Sequence, residues 1–186
     1  MQLRCCIKLK TLLLLIVFVD IGCTPLVVQP NNILYRSDGT YMNDSDKLVR
    51  DIFDRYQKAA NTSIESVPEP ARSLMVIYSV QGVIGNGGFR YFFENDFEGY
   101  DSYNVILDAY RNIGLEAHAN TIEILLKLFP EKYPQKDLKK RSEFLEKYFE
   151  VESEDCLPEV DEADNFFFNN YRLPFEKAME YYLSNC

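Results

Sequence analysis

The 186-residue chain has no tryptophan, one histidine and eight glycines, and none of its five cysteines belongs to a CxxC pair. Without a Cys/His cluster, a structural zinc site has no ligand set. The single histidine, His118, lies between Ala117 and Ala119 in a helical stretch, with no G-x-S-x-G context elsewhere in the chain. No nucleophile–base pair is therefore recognisable, and His118 reads as a structural or surface residue. Carboxylate pairs are numerous, but none stands out as a glycosidase-type pair. Strand-like alternation is nearly absent beyond residue 43, and there is no internal repeat. Neither a cofactor nor a metal is expected.

Cations are also scarce, 20 Lys and Arg against 29 Asp and Glu, for a formal charge of −9. The imbalance is local. Between Ser142 and Asp164 stand Glu143, Glu146, Glu150, Glu152, Glu154, Asp155, Glu159, Asp161, Glu162 and Asp164, against Lys147 alone. Such a surface repels nucleic-acid backbones and anionic lipid, so no direct nucleic-acid binding is expected. It suits a basic protein partner, with Glu150, Glu152, Glu154, Asp155, Glu159, Asp161 and Glu162 as the candidate binding face. The plainer alternative is a solvated acidic loop.

What is present in quantity is apolar and aromatic. The hydrophobic fraction is 47%, with 13 Phe and 13 Tyr, enough for one domain with an aromatic core. The first residues stand apart from it. MQLRCCIKLK carries Arg4, Lys8 and Lys10, TLLLLIVFV (11–19) is an unbroken apolar run, and DIGC ends on Cys23. A basic segment, a short apolar run and small residues make a secretory signal over residues 1–22. Gly22-Cys23 resembles the end of a bacterial lipobox, with Cys23 as the lipidated residue, although Asp20 stands where that motif has Leu. This places the chain at the cell envelope, anchored to the membrane by lipid. A plain signal peptide and an uncleaved anchor from Thr11 to Val28 are the alternatives. The anchor would be shorter than the roughly 20 residues of a spanning helix and would bury Asp20. If the signal is misleading, the chain stays cytoplasmic. Cleavage removes three cations and one anion, moving the charge from −9 to −11. In an oxidising compartment Cys156 and Cys186 can pair.

Residues 23–43 read as a flexible tether and 44–186 as an all-α bundle of six to seven helices. Asp44 or Ser45 caps a helix to about Ala60, with Leu48, Ile52, Phe53 and Tyr56 on its apolar stripe. Pro70 opens the next helix, and Gly85 to Gly88 interrupts it. Further helices run to Gly114 as a C′ residue, to Phe129-Pro130, and over 137–149. An acidic loop then leads into DNFFFNNY and a last helix from about Pro174 to Leu183.

The stretch GNGGFRYFFEN (85–95) is chemically distinctive. It fits neither a dinucleotide fingerprint nor a P-loop, because a helix precedes it and no Lys follows. Glu94, Asp96, Glu98 and Gly99 imitate the start of an EF-hand loop, but its twelfth position is Val105, so the bidentate ligand is missing. Packing remains. The glycines permit positive φ and close backbone approach, Asn86 can cap the short helix that follows, and Phe89, Phe92 and Phe93 drive it inward. Arg90 and Glu94, four apart, can pair on the outside.

The same residues resemble the DNA-mimic-protein-like family of all-helical domains. Asn86, Gly87, Gly88, Phe89, Phe92, Phe93 and Asn95 match its N-G-G-F-x-x-[FY]-F-x-N motif. Ala109 to Gly114 matches its A-x-x-x-I-G phrase, Leu128 to Pro130 its L-F-P phrase, and ADNFFFNNYRLPFEKAMEYYL its acidic-aromatic C-terminus. The resemblance implies a bundle without a known catalytic motif. Its namesake is an acidic homodimer that imitates DNA phosphates and sequesters a DNA-binding protein. The expected function is thus that of a non-catalytic acidic binding protein, an envelope lipoprotein engaging a basic partner. The alternative is a DNA-mimic or immunity-type inhibitor that masks a nucleic-acid-binding protein.

Overall fold

A computed structural model describes residues 34–35, 41–42, 44–134, 137–150 and 155–186. The signal segment, Cys23, Glu152 and Glu154 lie outside the described residues. Within the expected tether, two short strands, β1 (Leu34–Tyr35) and β2 (Tyr41–Met42), pair antiparallel with Leu34 opposite Met42. The rest is helical, with α1 (Asp44–Ala60), α2 (Ala71–Glu94), α3 (Asn104–Asn112), α4 (Glu116–Leu128), α5 (Leu138–Tyr148), α6 (Pro158–Asn169) and α7 (Leu173–Asn185). A single 3-10 turn, Ile64–Ser66, links α1 to α2. Among the described residues, no helix is long and apolar enough to cross a membrane.

The bundle is organised around α2, which contacts α1, α3, α5, α6 and α7. Its first half buries Leu74, Met75, Val76, Ile77, Val80 and Ile84, apolar on nearly every side as a central helix must be. The outer helices carry one stripe each, such as Leu48 and Ile52 on α1 or Ile122 and Leu125 on α4. Their ends follow local chemistry. Gly114 has φ 77°, its N–H donates to Arg111 O (2.9 Å), and Leu115 N–H donates to Tyr110 O (2.8 Å). That is a Schellman closure of α3, which Gly114 supplies without a Cβ penalty. Asp137 caps α5 by accepting from Lys139 N (3.0 Å) and Lys140 N (3.2 Å).

Two expectations need correction. The acidic region is not a loop to residue 164, because α6 starts at Pro158, with Glu159 and Asp161 in its first turn. Proline at the first helical position and carboxylates at the positive end of the dipole both favour that start. The Cys156–Cys186 bridge is not formed, because Cys156 is a free thiol. Cys156 packs against the core ahead of α6, whereas Cys186 is the exposed end of α7.

Candidate functional site

The site is built where α6 docks on the glycine corner of α2. At that corner the helix leaves helical geometry at Gly87 (φ −175°, ψ 27°) and Gly88 (φ 66°, ψ −161°) and resumes at Phe89. Gly87 is extended backbone that any residue adopts. Gly88 is different, since its φ is left-handed and a Cβ there would stand 2.6 Å from both Asp164 carboxylate oxygens. Asp164 Oδ1 accepts the Phe89 backbone N–H at 2.8 Å. A fresh helix start leaves its first N–H groups orphaned, and here the acceptor arrives from α6. The expected cap, Asn86, is exposed instead and takes no part.

Beyond the corner, Phe89, Phe92 and Phe93 are fully buried, as expected of the motif. Phe89 meets Phe167 of α6 edge-on at 4.8 Å, and Phe93 meets Phe129 at 5.0 Å and Phe149 at 5.4 Å. Each such side chain contributes roughly 1.5–3 kcal/mol by burial, so this half-helix is a principal anchor of the core. Further along, Gly85 lets the Tyr171 ring lie where a Cβ would be 2.6 Å away. Gln81, itself buried, donates to Tyr171 O (3.1 Å) and accepts from the Tyr110 hydroxyl (2.9 Å). The α6–α7 junction is thus fixed to α2 by a polar bond as well as by contact.

The face that α6 turns outward carries the charge. Val160, Ala163 and Phe167 are buried, while Glu159, Asp161 and Glu162 are exposed and make no ion pair with the described residues. Of the other acidic candidates, the two that are described, Glu150 and Asp155, are paired. Arg90 pairs with Glu150 and, at 3.1 Å, with Glu94, and Lys147 Nζ lies 3.7 Å from Asp155. Asp164 is turned inward. Burial pushes its pKa up, the Phe89 bond pulls it down, and the Asp161 charge adds to the rise, leaving it above the usual carboxylate value. Among the described candidates the open charge is therefore that of Glu159, Asp161 and Glu162, and Asp164 belongs to the scaffold beneath it. A readable signal for that role existed, because the i, i+3, i+7 spacing of Val160, Ala163 and Phe167 sets Asp164 on the flank of the buried stripe.

His118 also faces inward, 2% exposed, stacked on Tyr110 (centroids 5.7 Å, planes 10° apart) and against Phe166 and Phe167. Neither ring nitrogen has a hydrogen-bond partner, and burial lowers its pKa to about 4. It is a neutral core residue, and among the described residues no group bonds its ring nitrogens to serve as a proton-transfer partner. The false calcium loop is committed elsewhere, since Asp96 Oδ1 accepts from Arg141 Nη2 at 2.6 Å. No cluster of three His, Cys, Asp or Glu suited to a metal occurs among the described residues.

Comparison with known proteins supports the motif-based resemblance. A family model described as DMP19-like protein matches residues 65–185, which span α2 to α7 and so include both the glycine corner and α6. No curated protein and no solved structure matches the chain.

Proposed function

This chain belongs to the DMP19-like protein family, and from that premise we propose that it is a non-catalytic binding protein whose α6 carboxylates engage a basic protein partner. The observation that carries the proposal is the set Glu159, Asp161 and Glu162, exposed and without ion pairs among the described residues, on a helix fixed to the core by the Asp164–Phe89 bond. Exposed carboxylates on a rigid helix present a fixed negative field, which steers and selects a cationic surface. The lipid anchor on Cys23 would hold this face at the cell envelope, and the neutralised Glu150 and Asp155 would border it.

A partner affinity-purified from the organism's own envelope tests the proposal. Binding should weaken with salt and should fall at least about tenfold in the Glu159→Lys, Asp161→Lys, Glu162→Lys triple variant, with its melting temperature kept near the parent value. Unaltered binding by the triple variant overturns it. Replacement of Cys23 by Ala should abolish membrane attachment, and an unprocessed chain found in the cytoplasm would refute the lipoprotein. A second proposal, a DNA-mimic or immunity-type inhibitor, rests on the family membership. It requires that the partner bind nucleic acid and that duplex DNA compete with this chain for it.

A further inference from the structure

Away from α6, the loop between α2 and α3 and the segment after α4 enclose a cavity of about 270 Å³. Asn95, the last residue of the glycine-aromatic motif, lines it together with Asp96, Asp101, Tyr103, Tyr133 and Arg141. Arg141 is the unusual member. Its side chain is 8% exposed, yet among the described residues its guanidinium makes one bond, from Nη2 to Asp96 Oδ1 at 2.6 Å. A guanidinium has five N–H donors, and leaving them unmet in a sealed site is costly. Those of Arg141 are not sealed. The side-chain nitrogens and oxygens that are both buried and unpaired among the described residues are those of His118. Arg141 lines the cavity, and its remaining donors have no protein partner among the described residues. Tyr133 Oη accepts from the Tyr103 backbone N–H at 3.3 Å, and the two rings meet edge-on at 5.2 Å, forming an aromatic wall. Burial holds the Tyr103 hydroxyl well above its ordinary pKa, so it remains a neutral donor.

We propose that this cavity binds a free α-amino acid, its carboxylate on Arg141 and its ammonium toward Asp96 and Asp101. Three arguments converge on that class. A planar guanidinium with open donors matches a carboxylate in two parallel bonds. One cation beside two carboxylates gives a site of mixed sign, which repels a phosphate dianion and gives each end of a zwitterion a partner, whereas a simple cation would leave Arg141 unmatched. The volume lies just under the usual range for sites that take drug-sized ligands, which fits an amino acid rather than a nucleotide. The apolar side chain of the ligand would rest on Tyr103 and Tyr133, with Ile106 behind them.

Titration calorimetry of the full chain with L-phenylalanine, L-leucine, L-phenylalaninamide and phenethylamine tests this. The free acids should bind, and the amide and the amine, which lack the carboxylate, should bind about tenfold or more weakly. Arg141→Gln should abolish binding. Should that variant fail to fold, Asp101→Asn, at an exposed rim position, should weaken the amino acids severalfold. Absence of heat and of thermal stabilisation with either amino acid at about 10 mM overturns the proposal. So does equal binding of acid and amide, or binding unaltered in Asp101→Asn.

Discussion

The Asp164 carboxylate and the Phe89 backbone N–H, 75 positions apart in the chain, form a 2.8 Å hydrogen bond that starts the second half of α2. One helix supplies the N-terminal acceptor of another. Removing it should expose how much the glycine corner depends on α6. Asp164→Ala leaves a buried N–H without an acceptor and should cost about 1–3 kcal/mol in urea unfolding. Asp164→Asn keeps an acceptor oxygen and sheds a charge that burial disfavours. The folded pKa is raised, so the ionised group is a burden that grows as pH climbs through that value. At pH 7 the Asn variant should be no less stable than the parent.

Gly88→Ala should be among the most damaging single-methyl additions in the chain. It combines φ 66° and ψ −161° with a methyl 2.6 Å from the Asp164 oxygens. Backbone strain alone is worth about 1–3 kcal/mol, and the clash would also break the Phe89 cap. Gly87→Ala, at φ −175°, meets the base and near edge of the Tyr91 side chain at 2.7–3.0 Å, with no left-handed strain and no loss of the Phe89 cap, and should cost less. Thermal melts of the pair would rank them.

His118 makes acid stability measurable. Its pKa falls from 6.5 to about 4, so between those values the unfolded chain takes up a proton that the folded chain excludes. Stability from this group is full above pH 6.5 and is lost as pH drops toward about 4. The difference between pH 7 and pH 5 should be about 2 kcal/mol. Replacement by Phe should remove that part of the pH dependence, and urea titrations at the two pH values would detect it.

Gln81 joins three segments through one side chain, and its loss should be felt at both ends. Gln81→Leu strands the Tyr110 hydroxyl and the Tyr171 carbonyl and should cost about 2 kcal/mol or more. Adding Tyr110→Phe removes one of the stranded groups and should recover part of that loss. A double-mutant cycle reads the coupling directly.

Much of the fold was legible because helices announce themselves locally. The stripe of α1, the αL glycine after α3 and the break at Gly85–Gly88 are all set by residues within one or two turns. The acidic helix escaped because four of its first seven residues, Glu159, Asp161, Glu162 and Asp164, are charged and dominate a loop-like composition. Its three buried residues then made too thin a stripe to outweigh them. Which residue would cap Phe89 was beyond any local pattern. Asn86 was the neighbour with the right chemistry, and Asp164 won because packing brought it there. The Arg141 cavity is similar, assembled from three segments that share no motif except Asn95.

The borrowed cap has a consequence for how the chain is made. During synthesis, residues 89–94 emerge long before residue 164 exists, and until then the turn at Gly88 has no acceptor for its first N–H. Contacts so far apart in sequence close late and slow the search. The nascent bundle can already seat Phe92 and Phe93 on Tyr103, Phe129 and Phe149, but Phe89 must wait for its Phe167 partner until α6 arrives. A ribosome stalled before Pro158 would hold a polypeptide with the whole glycine-aromatic stretch but without the acceptor of its turn or the ring that covers Phe89.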